Sequence, residues 1–196
     1  MPNETFYSPR RMRQGIPRAM MRIIVKFFYL SIVTTVLFVS PCLAGEDAVL
    51  YAKALKYARE GNREFAYMNY RALLRDYPNS TFKEPALFAE GEYYFLIHDY
   101  VQAAVRFDAV LRDYPDTKAK LFILAYLFKY ASFENNMDLR QELRNQMINL
   151  EQVSFVFRDT KIYEYTSPLN RAHKANFMIN KIQYFIEGEL FEEVSY

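Results

Sequence analysis

Few residues in this sequence have the types and the spacing that catalysis or metal binding would require. The two histidines, His98 and His173, have no Cys, His or carboxylate neighbour at the spacing of metal ligands. The chain lacks a glycine-rich phosphate loop and the Gly-x-Ser-x-Gly turn of serine hydrolases. Glu90 and Glu92 lie close together on one predicted helix, where glutamates are usually solvated. We therefore predict no metal, no cofactor and no catalytic residue, and a protein that is not an enzyme.

The elements that would position these residues are predicted to be helices, arranged as hairpins. One helix is expected over Pro85–Ile97, because proline is well tolerated in the first turn of a helix. A short turn at His98–Tyr100 leads into a second helix over Val101–Arg112. Pro115 follows that helix and cannot continue it. The stretch between Glu84 and Pro115 is therefore predicted to be two antiparallel helices.

The same hairpin occurs earlier in the chain. The segment Arg71–Ser80 (RALLRDYPNS) is echoed at Asp108–Thr117 (DAVLRDYPDT), at an offset of about 37 residues. A fixed period of this size is typical of helical solenoids, in which each hairpin buries its apolar face against the next. Under this offset His98 takes the place of Gly61, so we interpret His98 as a structural turn residue. His173 is interpreted as a solvated residue of a later helix.

The spacing of small and aromatic residues in the hairpin resembles that of a tetratricopeptide (TPR) repeat. The residues that carry the resemblance are Gly91, Tyr94, Ala103, Phe107 and Pro115. The leucine usual in the family just before the small residue is replaced here by Glu90. The resemblance implies a helical-hairpin solenoid whose function is to hold other proteins.

The remaining segments complete a predicted all-α, TPR-like fold with two clear repeats and one degenerate repeat. The first repeat spans Gly45–Arg75, and the degenerate third has an apolar helix at Leu121–Phe133 followed by a helix capped by Asp138. Residues 152–167 suit a small β-hairpin or, equally, a structured loop. A last helix over Ser167–Glu187 is predicted to cap the solenoid.

The N-terminal 44 residues form a separate region in this interpretation, followed by the solenoid domain at 45–196. Basic residues precede an apolar run at Phe27–Val39, which is shorter than a membrane-spanning helix requires. This order predicts a secretory signal peptide cleaved after Ala44. The alternatives are a retained anchor or lipidation at Cys42, although Pro41 departs from a bacterial lipobox. Translation starting at Met20 or Met21 would give a signal peptide of ordinary length.

The distribution of charge and the predicted export limit the kind of partner that we expect for this chain. The net charge of +2 comes from the basic N-terminal region, and the predicted folded domain is mildly acidic. Nucleic-acid binding is therefore not supported. The chain is predicted to be exported, to the periplasm or the periplasmic face of a membrane, and to touch a membrane only through a retained or lipidated N-terminal segment. The sequence indicates neither the oligomeric state nor the identity of the partner.

The TPR resemblance also implies a candidate binding surface, since in that family the first helix of each repeat lines a concave groove. The groove residues carried over by position are Tyr51, Leu55, Phe88, Glu92, Phe95, Leu124 and Phe128. Rigid aromatic side chains are good anchors for an extended or helical peptide. We therefore expect Phe88 and Phe95 to lie exposed on the groove floor in the free protein.

Export together with these repeats is similar to the outer-membrane assembly lipoprotein BamD and to periplasmic TPR coordinator proteins. This likeness implies an exported, non-enzymatic scaffold that binds a protein or peptide partner in the cell envelope. The alternative function is a structural subunit of a membrane-associated assembly, such as a secretion or pilus complex.

Overall fold

The computed structural model describes residues 45–151 and 161–195, and the helical part comes first along the chain. The helices of the described part are α1 (Glu46–Arg59), α2 (Arg63–Asp76), α3 (Lys83–Leu96), α4 (Tyr100–Asp113), α5 (Lys120–Phe133) and α6 (Met137–Glu151). They form three consecutive hairpins, so the arrangement is that of a helical repeat. Helix α3 begins two residues earlier than predicted, so Pro85 lies at its third position and not at its first.

One turn geometry recurs in all three hairpins at the period of 37 residues. Gly61, His98 and Asn135 occupy equivalent turn positions, and each has a positive φ, of 78°, 66° and 52°. The residue after each one caps the next helix: Asn62, Asp99 and Asn136 accept hydrogen bonds from the backbone N–H three residues on. His98 is therefore a structural turn residue, as predicted. The predicted cap Asp138 is wrong, because Asn136 holds that position.

Close packing of the second hairpin depends on a glycine at the helix crossing. A Cβ added to Gly91 would lie 2.8 Å from the ring of Phe107 on α4. Phe107 and Ala103 of α4 are both buried, and they lie in the seam between α3 and α4. The absent side chain of Gly91 lets the Phe107 ring pack directly on the backbone of α3.

The C-terminal part is a four-stranded antiparallel sheet, so the predicted all-α class is correct only for the helical part, which makes up most of the described chain. The strands are β1 (Lys161–Thr166), β2 (Ala172–Met178), β3 (Lys181–Ile186) and β4 (Glu189–Ser195). They are ordered β1-β2-β3-β4, each paired with its neighbour in sequence. The predicted capping helix at Ser167–Glu187 is therefore wrong, since that range holds two strands and their turns.

The alternation of side chains explains why this segment forms strands. His173, Ala175 and Phe177 of β2 are buried, whereas the residues between them lie toward the other face. Ile182, Tyr184 and Ile186 of β3 alternate in the same way. Glu187 and Gly188 join β3 to β4 with positive φ values of 54° and 87°, the geometry of a two-residue type I′ hairpin turn.

Only part of the β-hairpin predicted near 152–167 lies within the described residues. Residues 161–166 do form a strand, β1, but its partner is β2. Residues 152–160 lie outside the described residues, as do the predicted signal peptide, its cleavage site at Ala44 and the lipidation candidate Cys42. None of the helices within 45–151 combines the length and the apolarity needed to cross a membrane.

Candidate functional site

The predicted binding groove is filled by the protein's own sheet. Phe88 and Leu124 are fully buried in one apolar cluster with Ala175, Phe177 and Ile182 of the sheet. Phe128 belongs to the same cluster, and Phe95 packs at its edge. The expectation that Phe88 and Phe95 are exposed is therefore wrong. The apolar side of the sheet needs a partner surface, and the first helices of repeats two and three supply it.

Several aromatic side chains connect the helices to the sheet. The Phe88 ring lies 5.5 Å from that of Tyr165 on β1, measured between centroids, with its edge toward the other ring's face. Tyr126 of α5 and Phe95 of α3 both contact Phe191 of β4, at 5.1 and 5.6 Å. These edge-to-face arrangements are the favoured geometry of aromatic pairs. The rings predicted to hold a partner hold the C-terminal strands instead.

The N-terminal end of the predicted groove is only partly covered. Tyr51 stacks on Phe82, with 4.4 Å between centroids, and burial raises the pKa of its hydroxyl. Leu55 is half-buried. Near this end the turn between β1 and β2 reaches the first repeat, where Leu169 is buried and the Tyr70 hydroxyl donates to the carbonyl of Pro168. The turn therefore fastens the sheet to the second helix of repeat one.

A buried carboxylate, Glu92, lies at the centre of the contact between helices and sheet. Its side chain has no solvent exposure, which contradicts the prediction of a solvated or groove-exposed glutamate. Oε1 accepts from His173 Nε2 at 2.8 Å and from the Tyr126 hydroxyl at 3.0 Å, and Arg171 Nη1 lies 3.4 Å away. An ionised carboxylate only accepts hydrogen bonds, so His173 carries its proton on Nε2.

These partners decide the protonation of the buried carboxylate. Burial by itself would raise the pKa of Glu92, but the hydrogen bond and charge of His173, together with the charge of Arg171, lower it below the ordinary glutamate value. The Ser167 hydroxyl adds to the lowering, although Oε2 makes no hydrogen bond of ordinary geometry among the described residues. Glu92 is therefore ionised at neutral pH and neutralises Arg171.

A ladder of ion pairs leads from this carboxylate to the surface. Arg171 also contacts Glu187 of the β3–β4 turn, with Nε 3.2 Å from Oε2. Glu187 in turn pairs with Arg63 at the start of α2. The ladder connects two turns of the sheet to two helices of different repeats. Because buried charges are tolerated only when they are paired, it favours one position of the sheet in the groove.

The residue types in this cluster include those of a catalytic triad, but their arrangement is that of a structural network. Ser167 and His173 are buried together with Glu92. His173 is committed to Glu92 through Nε2, and Ser167 Oγ accepts from the backbone N–H of Arg171 at 3.1 Å. A catalytic serine and histidine must reach a substrate. The arrangement can hold the sheet in place, and it offers no exposed nucleophile.

Glu90, two residues before Glu92 on α3, is also buried. Glu90 pairs with Arg106 of α4, with 2.9 Å between Oε2 and Nε. Burial raises the pKa of Glu90, and the charges of Arg106 and Arg71 only partly offset this. The charge of Glu90 is thus accommodated by a partner on the next helix. The prediction that this glutamate is solvated is wrong.

Sequence reasoning missed Arg171, Tyr126 and Ser167, and placed His173 on a helix. The signal that would have located His173 is the alternation of polar and apolar residues over 172–178. That alternation competes with an apolar spacing of three and four residues over the same stretch, which fits a helix equally well. His173 is buried on a strand, so its interpretation as a solvated helix residue is also wrong.

No group of three or more His, Cys, Asp or Glu side chains within 45–151 and 161–195 is arranged to hold a metal ion. Neither the known protein-family models nor the curated proteins contain a match to this chain.

Proposed function

We propose that this chain is an exported, TPR-like scaffold without enzymatic activity, which binds a protein partner in the cell envelope through surfaces outside its groove. The proposal keeps the function implied by the helical repeats and by the N-terminal signal pattern. It moves the binding surface, because the groove rings are buried against the sheet. A peptide could enter the groove only by displacing several buried strands.

The observation that carries the proposal is a pair of exposed apolar side chains at equivalent positions of two repeats. Met68 on α2 and Val105 on α4 are 37 residues apart and have 55% and 51% of their surface exposed. Val101, one helical turn before Val105, is exposed to a similar degree. Exposed apolar residues are common singly, but their recurrence at one repeat position suits a contact surface shared by successive hairpins.

The experiment is crosslinking capture of the chain from its native envelope, comparing two double variants. Met68→Glu with Val105→Glu adds two charges to the outer helices. Ile162→Glu with Ile179→Glu adds the same two charges at exposed apolar positions of the sheet. We expect the first variant to lose its crosslinked partner while the second keeps it. Equal capture by both variants would reject the outer helices as the binding surface.

The alternative function is a structural subunit of a membrane-associated assembly. In that case a partner would cover the same exposed side chains permanently. The solubility of the purified chain separates the two functions. A stable, monodisperse chain that binds reversibly supports the scaffold. A chain that stays in solution only when it is produced with its partner supports the permanent subunit. Absence of any crosslinked protein would reject both.

A further inference from the structure

A cavity of about 330 Å³ lies between α6 and the edge strand β4, beside the end of the groove where Phe128 is found. Its walls are formed by residues of α6 and β4 and by Phe128 of α5. They are Phe128, Met137, Arg140, Gln141, Arg144, Glu193, Val194 and Ser195. The cavity therefore has a helix with two arginines on one side and the backbone of an extended strand on the other.

The two arginines lie one turn apart on the same side of α6. Neither Arg140 nor Arg144 has a carboxylate within 4.0 Å in the part of the chain that the structure describes, and the Nε atom of each is buried without a hydrogen-bond partner there. The Arg140 guanidinium lies 5.1 Å above the ring of Phe128, which holds it in place. Five other arginines of the described part each pair with an acid, whereas Arg59 and Arg71, like Arg140 and Arg144, do not. The paired arginines are Arg63, Arg75, Arg106, Arg112 and Arg171.

The acids nearby do not neutralise this pair. Glu193 lines the cavity, but its Oε2 is held by Lys181 Nζ at 3.0 Å and by Gln183 Nε2 at 2.8 Å. Asp138 and Glu142 are exposed, and helical spacing places them on the side of α6 opposite Arg140 and Arg144. The cavity therefore carries excess positive charge. Nη1 of Arg140 donates to Met137 Sδ at 3.7 Å and Nη1 of Arg144 to Gln141 Oε1 at 3.5 Å, both long contacts with uncharged groups, and neither Nε has a partner among the described residues.

The other wall of the cavity includes three residues of an edge strand, Glu193, Val194 and Ser195 of β4. β4 is the last strand of the sheet, so along one side its N–H and C=O groups have no strand partner among the described residues. An edge strand of this kind can accept an extended peptide as an additional strand. Arginine is suited to carboxylates, because its planar group donates two parallel hydrogen bonds.

We propose that an extended acidic segment of a protein partner adds to β4 and places its carboxylates against Arg140 and Arg144. The inference rests on the proposed scaffold function and names the chemistry of the partner. Excess positive charge, two guanidinium groups without a carboxylate partner and an edge strand occur together at this cavity in the part of the chain that the structure describes. Alternating acidic side chains would lie on one face of such an added strand, toward α6.

The test is fluorescence anisotropy with a labelled peptide of alternating threonine and glutamate, added to the full chain. A peptide with glutamine in place of glutamate is the uncharged control. Arg140→Gln with Arg144→Gln is compared with Arg75→Gln and Arg112→Gln, which removes the same charge from exposed helix ends. We expect the first variant to bind the acidic peptide at least about tenfold more weakly, and the second to bind like the wild type.

Backbone N-methylation of the peptide and competition by inorganic phosphate separate strand addition from simple anion binding. We expect the N-methylated peptide to bind poorly and phosphate to compete weakly. Equal binding of the methylated peptide, phosphate binding as tight as the peptide, or equal loss in both double variants would overturn the proposal. If R140Q/R144Q still captures its crosslinked partner while no acidic peptide binds the wild type, the scaffold function stands and the inference fails.

Discussion

The three helical hairpins and the C-terminal sheet differ in how their structure is encoded. Each hairpin repeats the same turn and cap, at Gly61, His98 and Asn135, within a few residues of chain. The sheet has no such repeat, and the apolar faces of its inner strands are completed only by the helices. The comparison teaches that local signals specify the hairpins, whereas the sheet depends on the surface that it covers.

The pairing of hairpins and sheet also affects the binding surface that the helical repeats would offer. Helical repeats of this kind would leave a concave surface for another chain, and in this protein a segment of the same chain occupies it. Phe88 illustrates the consequence, because its ring contacts Phe107 of α4 and Tyr165 of β1 at once. A side chain that suits partner binding by its position in the repeat is therefore part of the core.

The largest expected effect comes from removing the ring of Phe88. Phe88→Ala should cost about 3–5 kcal/mol in the free energy of unfolding, because it leaves a cavity between the helices and the sheet. Phe95→Ala should cost less, since Phe95 is only partly buried. Urea denaturation of the two variants measures the difference. Wild-type stability in both would mean that the groove is open and that the two regions do not share a core.

The second largest expected effect tests the buried ion pair between Glu92 and Arg171, which connects the helices to the sheet. Glu92→Gln keeps the volume of the side chain but leaves Arg171 without its buried counter-charge. We expect a loss of about 3 kcal/mol. Glu60→Gln, at an exposed helix end, is the matched control and should change stability by less than about 0.5 kcal/mol. Similar small changes in both variants would show that the sheet is held by apolar packing alone.

Acid should act in opposite directions on the two buried glutamates of α3. The folded-state pKa of Glu92 is lowered, so its contribution is present above the unfolded value of about 4.3 and is lost as pH falls through the folded pKa. The folded-state pKa of Glu90 is raised, so its contribution decreases as pH rises through that pKa.

The measurement is the free energy of unfolding against pH for the wild type, E92Q and E90Q. Glu92→Gln should flatten the loss of stability in acid, and Glu90→Gln should steepen it. Each change is smaller than the effect of E92Q at neutral pH, because only the ionised fraction varies. If the free energy of unfolding fell with pH at the same rate in E92Q and E90Q, Glu92 would not be the buried negative charge at the contact between helices and sheet.

The smallest expected effect tests whether the turns of the first two hairpins are equivalent. Gly61→Ala should destabilise the first hairpin by about 1 kcal/mol, because alanine is strained at a φ of 78°. His98→Gly should be neutral or stabilise by up to about 1 kcal/mol, since it relieves the same strain in the second hairpin at the cost of a more flexible unfolded chain. Thermal melting of both variants tests this. Equal effects of the same sign would mean that the two turns are not equivalent.

The helical hairpins and their period of 37 residues could be predicted from the sequence alone. The same repeat pattern singled out Gly91, Ala103 and Phe107, which the structure places at the crossing of α3 and α4. Caps, prolines and apolar spacing act over one or two helical turns, so they can be recognised without the rest of the chain. The structural role of His98 followed from its place in the same period.

The C-terminal sheet and the burial of Glu92 could not be predicted locally, because both depend on contacts between distant parts of the chain. Residues 172–186 have apolar spacing compatible with either a helix or strands, and the choice follows from the surface offered by α3 and α5. Glu92 lies 79 residues from Arg171 and 81 from His173, so nothing near it in the sequence indicates that it would be paired and buried. A carboxylate is solvated or buried according to partners that only folding brings together.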